Sequence, residues 1–288
     1  MADVPLYSVT ETGAKELDPP EPLASLYDLP DALSLGVYTA MRTYDHYKFL
    51  RLSDHLRRLE ESMAVLNWRY ELDERAIRRA LHQVCMAYEH PDARVRIDVL
   101  AQTPGPRYGN SRVLVALAPF EPPPAAVYER GVRLALAPAL QRRHPQAKTA
   151  DFALARRAYP INSDDSYDFL LLDEEEHLLE GSTSNFYAVR DGSVWTAGAG
   201  MLEGITRKVI LELIQEAGIQ LQLQAPRLED VPLLDEAFLS SSSRGLAPVR
   251  EIDGKVVGDG RPGPITKQLM LAYDEFVARS VRPAVALD

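Results

Sequence analysis

The stretch DFLLLDEEEHLLEGSTSNFYAVR, residues 168–190, places two short apolar runs on either side of an acidic turn and a Gly-Ser loop. Apolar runs of this length with turn residues around them are typical of β-strands. Similar runs recur through the second half of the chain, and we expect strands at 132–137, 168–173, 184–190 and 236–242. Two helices are expected there, 264–279 and 206–218, with Gly218 as the C-cap of the latter. Many strands with few helices predict a partly closed sheet and not a βαβ array.

The first part of the chain predicts a smaller α+β unit. Apolar residues at helical spacing indicate helices over 53–66, with Ser53 or Asp54 as N-cap, and over 73–88. Strands are expected at 94–100 and 112–118, and the first of these alternates between an apolar and a polar face. The proline-rich segment Glu121–Ala125 cannot continue a helix or a central strand. We therefore predict a small domain at 1–120, a linker at 121–127 and a large domain at 128–288.

Composition excludes several classes of protein. The chain has 288 residues, 46% of them apolar, and a formal net charge of −10, which argues against a nucleic-acid binder. The N-terminus lacks the layout of a signal peptide, and no apolar run is long enough to span a membrane. The single cysteine, Cys85, is expected to be a buried small side chain, in keeping with a reducing cytoplasm. The six histidines show no metal-ligand spacing, so no metal site is expected.

One lysine and one glutamate stand in distinctive local sequences. Lys148 lies in HPQAKTADF, and Glu180 begins EGSTSN 32 residues later. Taken singly, most lysines are solvated surface charges and a glutamate before a Gly-Ser turn is ordinary. Together they suggest pyridoxal phosphate (PLP), whose chemistry needs an amine for its aldehyde and an acid for its pyridine nitrogen. Small neighbours and Phe152 favour a confined environment, which would lower the pKa of Lys148 from about 10.4.

PLP also needs an anion cradle, and the sequence offers three candidate parts. Gly204-Ile205-Thr206 opens a predicted helix, where free amides and the helix dipole favour a phosphate. The run Ser240–Ser243 ends a predicted strand, although a serine run is usually a polar loop. Arg58 lies on the same helix face as His55 and could grip a phosphate with two donors, whereas Arg57 points about 100° away.

These segments resemble the class IV, fold-type IV, PLP enzymes, a family of branched-chain aminotransferases, D-amino-acid aminotransferases, (R)-selective amine transaminases and aminodeoxychorismate lyases. The resemblance runs through almost the whole chain. It is carried by GVYTAMRTY (36–44), FLRLSDHLRRL (49–59), KT (148–149), LLLD…EGSTSNFYAV (170–189), LEGITRKVILEL (202–213), FLSSSSRGLAPVREIDG (238–254) and GDGRPGPIT (258–266).

The resemblance implies an α+β or α/β fold of two domains, a smaller N-terminal domain and a larger one built on a partly closed sheet, with the cofactor between them and a homodimer as the active form. It implies that Lys148 is the catalytic residue and attaches the cofactor. Other cofactor-binding residues would be Arg58, Glu180, Asn185, Ile205, Thr206 and Ser242. Substrate-binding residues would be Tyr38, Arg96, Phe152, Ser243 and Arg244, with a surface ion pair to Asp98 or another acid as an equal alternative for Arg96.

The resemblance further implies a cytoplasmic aminotransferase that moves an amino group between an amino acid, with apolar or branched side chains favoured, and a 2-oxo acid. Departures from the family pattern keep the subclass open. Thr39 replaces a usual glutamate, Phe152 replaces a tyrosine, and Arg244-Gly245 replaces a small-then-acidic pair, where Arg244 could bind a substrate carboxylate or reach solvent. The alternatives are an aminodeoxychorismate lyase and a D-amino-acid or (R)-amine transaminase. A non-enzymatic PLP-storing module is disfavoured by the full set of cofactor-facing residues. A serine hydrolase is disfavoured because no GxSxG elbow is present.

Overall fold

The computed structural model describes residues 4–19, 23–26, 28, 36–104, 110–163 and 166–285. The chain divides into two compact units. Unit 1 comprises Met1–Glu121, Gln146–Leu154 and Arg279–Asp288, and unit 2 comprises Pro122–Pro145 and Ala155–Ala278. This division differs from the predicted domains at two short segments, 146–154 and 279–288, which we placed in the large domain.

Backbone pairing explains why these two segments belong with unit 1. The amide of Tyr38 donates to the carbonyl of Lys148 at 2.9 Å, and Val37 forms a β-bridge with Thr149. Near the C-terminus, Arg282 pairs with Phe49 in a two-stranded ladder. Such pairings join residues that are far apart in the sequence, and no local sequence pattern predicts them.

Unit 1 is built on a five-stranded antiparallel sheet in the order β2-β1-β6-β5-β3. Its strands are β1 (Leu6–Thr10), β2 (Gly13–Leu17), β3 (Gly36–Arg42), β5 (Ala93–Leu100) and β6 (Val113–Pro119). A separate two-stranded ladder joins β4 (Lys48–Phe49) to β16 (Arg282–Pro283). The helices are α1 (Leu52–Val65), α2 (Glu74–Ala87) and the short α4 (Ala150–Ala155). Apolar side chains of α1, α2 and the sheet form one continuous core.

Helix α1 confirms the predicted helix but corrects its start. The N-cap is Arg51, in the left-handed conformation with φ of 53°, and neither Ser53 nor Asp54 caps the helix. The carbonyl of Arg51 already accepts from the amide of Asp54 at 3.0 Å, so the N-cap lies two residues before Ser53 and three before Asp54. Cys85 on α2 is fully buried, as predicted, and burial raises the pKa of its thiol to about 12. The thiolate needed for reactivity is therefore suppressed.

Unit 2 contains a nine-stranded sheet, and six of its strands close into a ring. The closing contact is the pairing of Glu180 in β9 with Asn185 in β10. The ring follows the order β10, β13, β14, β7, β8, β9. The strands of unit 2 are β7 (Val132–Leu136), β8 (Asp168–Leu172), β9 (Leu178–Gly181), β10 (Asn185–Arg190), β11 (Ser193–Trp195), β12 (Leu221–Gln222), β13 (Glu236–Ser241), β14 (Gly245–Ile252) and β15 (Lys255–Val256). The predicted partly closed sheet is confirmed.

The helices of unit 2 also agree with the sequence in their main features. They are α3 (Ala125–Arg130), α5 (Ile205–Glu216) and α6 (Pro264–Ser280). Ala217 is the C-cap of α5, and Gly218, the predicted C-cap, follows it with φ of 67°. A positive φ at this position suits glycine, which has no Cβ to clash. Helix α3 begins inside the predicted linker, because Pro124 can serve as N-cap where no amide donor is required.

In the described part of the chain, no helix combines the length and the apolar character needed to cross a membrane.

Candidate active site

The backbone of Lys148 is held by two elements of unit 1. Its carbonyl accepts from Tyr38 of β3 at 2.9 Å, and its amide donates to the Oγ of Ser62, on α1, at 3.1 Å. Ser62 is fully buried and its hydroxyl also donates to the carbonyl of Arg58 at 2.6 Å. The Nζ of Lys148 lies 4.9 Å from the centre of the Tyr38 ring. The backbone of Lys148 is therefore fixed by two elements, and its amine lies beside an aromatic ring that can receive a cation.

Arg58 takes part in a buried polar cluster with Thr39 and His55. Its Nη2 donates to the Oγ1 of Thr39 at 2.8 Å, and that hydroxyl shares a 2.7 Å hydrogen bond with Nδ1 of His55. All three side chains are buried, Arg58 with 5% exposure. Burial, together with the positive charges of Arg58 and Lys148, holds the pKa of His55 well below its usual range. His55 is therefore neutral, and the local charge that remains is positive.

Arg96 is engaged with Asp98 in a two-pronged ion pair. Its Nε and Nη2 donate to the two carboxylate oxygens at 2.8 and 2.7 Å. Its guanidinium also lies 4.1 Å from the centre of the Tyr38 ring. An ion pair of Arg96 with Asp98 was among the expected alternatives. The expected surface location is wrong, because Arg96 is only 3% exposed. Arg96 and Asp98, which belong to the predicted polar face of β5, are in fact buried and paired with each other.

Phe152 is 5% exposed on α4, four residues after Lys148, in agreement with the confined surroundings predicted for this segment.

Glu180 lies at the strand pairing that closes the ring of unit 2. Its side chain is 3% exposed, and its Oε1 accepts from the Nε of Arg142 at 2.9 Å. Its Oε2 accepts from the amide of Leu202 at 3.2 Å. Asn185, directly opposite, donates from Nδ2 to the carbonyl of Leu202 at 2.7 Å. The two predicted residues therefore share one backbone segment, which leads into helix α5.

The N-terminus of α5 has the features expected of an anion cradle. Its N-cap is Gly204 and no side chain among the described residues caps it, so the first-turn amides of Ile205 and Thr206 are not taken by a cap. A Cβ on Gly204 would come within 2.1 Å of Asn185 Oδ1, so this close approach requires glycine. The third residue, Arg207, is 5% exposed, and its Nη2 donates to the carbonyl of Ala197 at 2.7 Å.

The serine run forms the turn between β13 and β14. Ser242 and Ser243 are half-buried in this turn, which Gly245 completes with φ of 63°. Arg244 has a side chain only 12% exposed, so the alternative that it reaches solvent is wrong. Its Nε donates to the Oγ of Ser241 at 3.0 Å.

The structure thus gathers the predicted residues into local groups within each unit. In unit 1, the backbone of Lys148 is hydrogen-bonded to Tyr38 and to the hydroxyl of Ser62. That hydroxyl also donates to the carbonyl of Arg58, the candidate phosphate-binding arginine. In unit 2 one group holds Glu180 and Asn185 beside the start of α5, and a turn holds Ser242, Ser243 and Arg244.

Sequence reasoning missed several buried partners: Ser62, Arg142, the His55–Thr39 contact, and Asp168, whose carboxylate accepts from the hydroxyls of residues 182–184. Arg142 and Asp168 are separated from the residues they serve by turns or strands, so no spacing rule could have found them. Ser62 does lie four residues after Arg58 on one helix face, which is a usable signal. Within the residues that the structure covers, no cluster of potential ligands could hold a metal ion.

Known proteins resemble this chain in sequence and in fold. The family model for amino-transferase class IV matches residues 36–252. The branched-chain-amino-acid aminotransferase of Pseudomonas aeruginosa is 37% identical over 110 residues, 38% of this chain and 36% of that protein. The D-alanine aminotransferase of Staphylococcus haemolyticus is 38% identical over 104 residues, 35% of this chain and 37% of that protein. These alignments span little more than a third of the relatives' length.

Structural similarity extends over the whole chain. The branched-chain amino acid aminotransferase of Escherichia coli superposes with a TM-score of 0.76 at 23% identity, covering 99% of this chain and 100% of that one. The likeness confirms the predicted two-domain fold class. Because the family model covers well over half of the sequence, the chain belongs to the class IV aminotransferases.

Proposed function

We propose that this protein is a PLP-dependent aminotransferase that moves an amino group from an amino acid, with branched-chain side chains favoured, to a 2-oxo acid. The observation that carries the proposal is the fixed position of Lys148, whose backbone is tied to β3 and α1 while its amine faces an aromatic ring. The family match and the relatives named as branched-chain aminotransferases support the same reaction.

The residues present fit this cofactor on two observations. The N-terminus of α5, which no side chain of the described residues caps, and the buried guanidinium of Arg58 suit a phosphate dianion. The buried carboxylate of Glu180, with Arg142 beside it, suits a cationic pyridine nitrogen. When bound, PLP supplies an electron sink for the electron pair left at the substrate Cα.

Each residue then has a proposed role. Without substrate, Lys148 would hold the cofactor through its Nζ. Once the substrate amine has displaced it, the freed Nζ would take the proton from the substrate Cα. Glu180 pairs with the pyridine nitrogen, and Asn185 supports it by anchoring the carbonyl of Leu202. The phosphate is held by Arg58, by the amides of Ile205 and Thr206 and by Ser242.

The substrate residues follow from the same family pattern. Tyr38 and Phe152 offer apolar surface for the substrate side chain. Arg96, Ser243 and Arg244 are proposed to orient the substrate carboxylate.

The test is a transamination assay with a chemical label. Protein incubated with L-leucine and 2-oxoglutarate should form glutamate, and Lys148→Ala should lower that rate by at least about 10²-fold, because a positioned acid–base group contributes at least that much. Borohydride reduction should fix the cofactor mass on the peptide containing Lys148.

Lys267→Ala, which alters an exposed lysine on α6, is the matched control and should change neither result. Retained activity in Lys148→Ala, or a label on another lysine, would contradict the assignment. Pyruvate release from aminodeoxychorismate alone, with no 2-oxo acid present, would favour the lyase reaction.

A second candidate is a transaminase for D-amino acids, which the similarity to D-alanine aminotransferases favours. The same assay with paired L- and D-amino acids and (R)-amines separates the two. We also propose that the active form is a cytoplasmic homodimer, as the family resemblance implies.

A further inference from the structure

Asp168, the first residue of β8, organises the loop that follows Glu180. The carboxylate is fully buried. It accepts hydrogen bonds from the hydroxyls of Ser182 at 2.6 Å, Thr183 at 2.7 Å and Ser184 at 2.8 Å. It also accepts from the amide of Phe169 at 2.8 Å. A buried carboxylate is tolerated when donors satisfy it, so the loop and the acid stabilise each other.

Arg244 connects the Asp168 carboxylate with the turn between β13 and β14. The Nη2 of Arg244 lies 3.5 Å from Asp168 Oδ2 and donates to the Oγ1 of Thr183. The Nε of Arg244 donates to Ser241, which begins the turn between β13 and β14. The guanidinium packs over the ring of Tyr167, 5.1 Å from its centre.

The hydroxyl of Thr183 takes part in two hydrogen bonds, one with Arg244 and one with Asp168. The hydroxyl oxygen accepts a hydrogen bond from Arg244, and the hydroxyl donates one to Asp168; a hydroxyl can do both at once. Loss of that oxygen would remove the shortest contact between the guanidinium and the loop, and would leave the longer ones to the carbonyl of Thr183 at 3.4 Å and to Asp168 Oδ2 at 3.5 Å. Ser182 and Ser184 would still donate to the carboxylate.

We propose that Asp168 and Thr183 are positioning residues that fix Arg244, and with it the Ser241–Arg244 turn, to the loop carrying Glu180. The inference rests on the proposed function, in which Glu180 serves the pyridine nitrogen and Ser242 the phosphate. The pyridine nitrogen belongs to the ring and the phosphate to a side arm of the same cofactor, so the residues that hold these two groups must keep a matched separation. PLP affinity should then depend on the Thr183 hydroxyl, which has no assigned part in binding.

The experiment compares Thr183→Val, which removes the hydroxyl at nearly constant shape, with Thr183→Ser, which keeps it. Apoprotein is titrated with PLP, and its thermal unfolding is measured without PLP. We expect Thr183→Val to raise the PLP dissociation constant about tenfold, the scale of one hydrogen bond to a charged group. Thr183→Ser should stay within about twofold of the wild type.

Thr196→Val is the matched control, because it removes a buried hydroxyl of unit 2 that donates to the carbonyl of Phe186 at 2.8 Å. It should lower the melting temperature and leave PLP affinity unchanged. Equal PLP affinity in Thr183→Val and Thr183→Ser, or a loss in Thr183→Val matched by Thr196→Val, would overturn the inference.

Arg244→Lys tests the same contact from its other partner. Lysine keeps the charge but lacks the planar fork through which Arg244 donates from Nε to Ser241 and from Nη2 to Thr183. We expect it to weaken PLP binding about as much as Thr183→Val does, with no further loss when the two are combined, because both break one coupled contact. Additive losses would show independent effects and contradict the proposal. A wild-type protein that binds no PLP would overturn the proposed function as well, whereas equal binding by the Thr183 variants overturns this inference alone.

Discussion

Glu180 and Arg142 form a buried ion pair between residues 38 positions apart in the chain. Their side chains are 3% and 5% exposed. The motif EGSTSN identified Glu180 as a candidate site residue, but no local motif identified Arg142 as its partner. A buried carboxylate that is ionised needs a cation or several donors near it, so the partner is a physical requirement whose identity depends on the folded chain.

Arg142→Met should destabilise the cofactor-free protein. Removing one partner leaves the other charge buried and unbalanced, and the expected loss in the free energy of unfolding is about 3 kcal/mol. Urea unfolding followed by circular dichroism measures it. The neighbouring Arg143 is exposed, so Arg143→Met should change the free energy by less than about 0.5 kcal/mol.

Replacing both partners, in Arg142→Met with Glu180→Gln, should recover part of the lost stability, since the unbalanced charge is then gone. If Arg142→Met and Arg143→Met are equally stable, the ion pair contributes nothing to folding.

At the scale of elements, the turn between β9 and β10 is held by contacts on both sides. Glu180 and Asn185, at the two ends of this turn, form the pairing that closes the ring of strands. The three hydroxyls of the turn donate to the carboxylate of Asp168. Gly181 stands where the chain passes closest to that carboxylate. A Cβ there would lie 2.3 Å from Ser184 Oγ and 2.9 Å from Asp168 Oδ2, so no larger residue fits without movement.

Gly181→Ala should therefore lower the free energy of unfolding by about 2 kcal/mol, the usual scale of an overpacked site. The thermal unfolding midpoint measures the effect. Because the nearest clash is with a hydroxyl, adding Ser184→Ala should restore part of the stability. Ser184→Ala alone serves as the reference, and a double variant no more stable than Gly181→Ala would show that the strain lies elsewhere.

At the scale of the whole molecule, His55 links stability to pH. Burial and the charges of Arg58 and Lys148 hold its pKa well below the usual 6.5 in the folded state. In the unfolded chain the ring titrates near its ordinary value, so below about pH 6.5 the unfolded state binds the proton more readily. The stabilisation is fully present above that pH and is lost as the pH falls toward the folded pKa.

The free energy of unfolding should consequently fall below about pH 6.5 with a contribution from His55 of up to about 1.4 kcal/mol per pH unit. His55→Asn should lack this contribution, while His90→Asn, which changes an exposed histidine, should keep it. Denaturant titrations between about pH 5 and 8 would show the difference, and parallel pH profiles for wild type and His55→Asn would contradict it.

Much of the fold could be predicted from the sequence because its signals are local. Apolar spacing placed α1, α2, α5 and α6, and short apolar runs placed the main strands. The start of α1 was misplaced because Arg51, in a left-handed conformation, closes the first turn without a side-chain cap. The assignment of 146–154 to unit 1 escaped prediction because it follows from pairing with β3.

By itself, the sequence determined the partly closed sheet, the family, and Lys148 and Glu180 as the residues to examine, because strand patterns and loop motifs are contiguous in the chain. Only the tertiary structure decided how those residues are held. Arg142 balances Glu180, Ser62 anchors Lys148, Asp98 engages Arg96, and Asp168 joins Arg244 to the EGSTSN loop. Each of these contacts satisfies a buried charge or polar group, and in a folded chain the nearest suitable partner is set by proximity in space and not by distance in sequence.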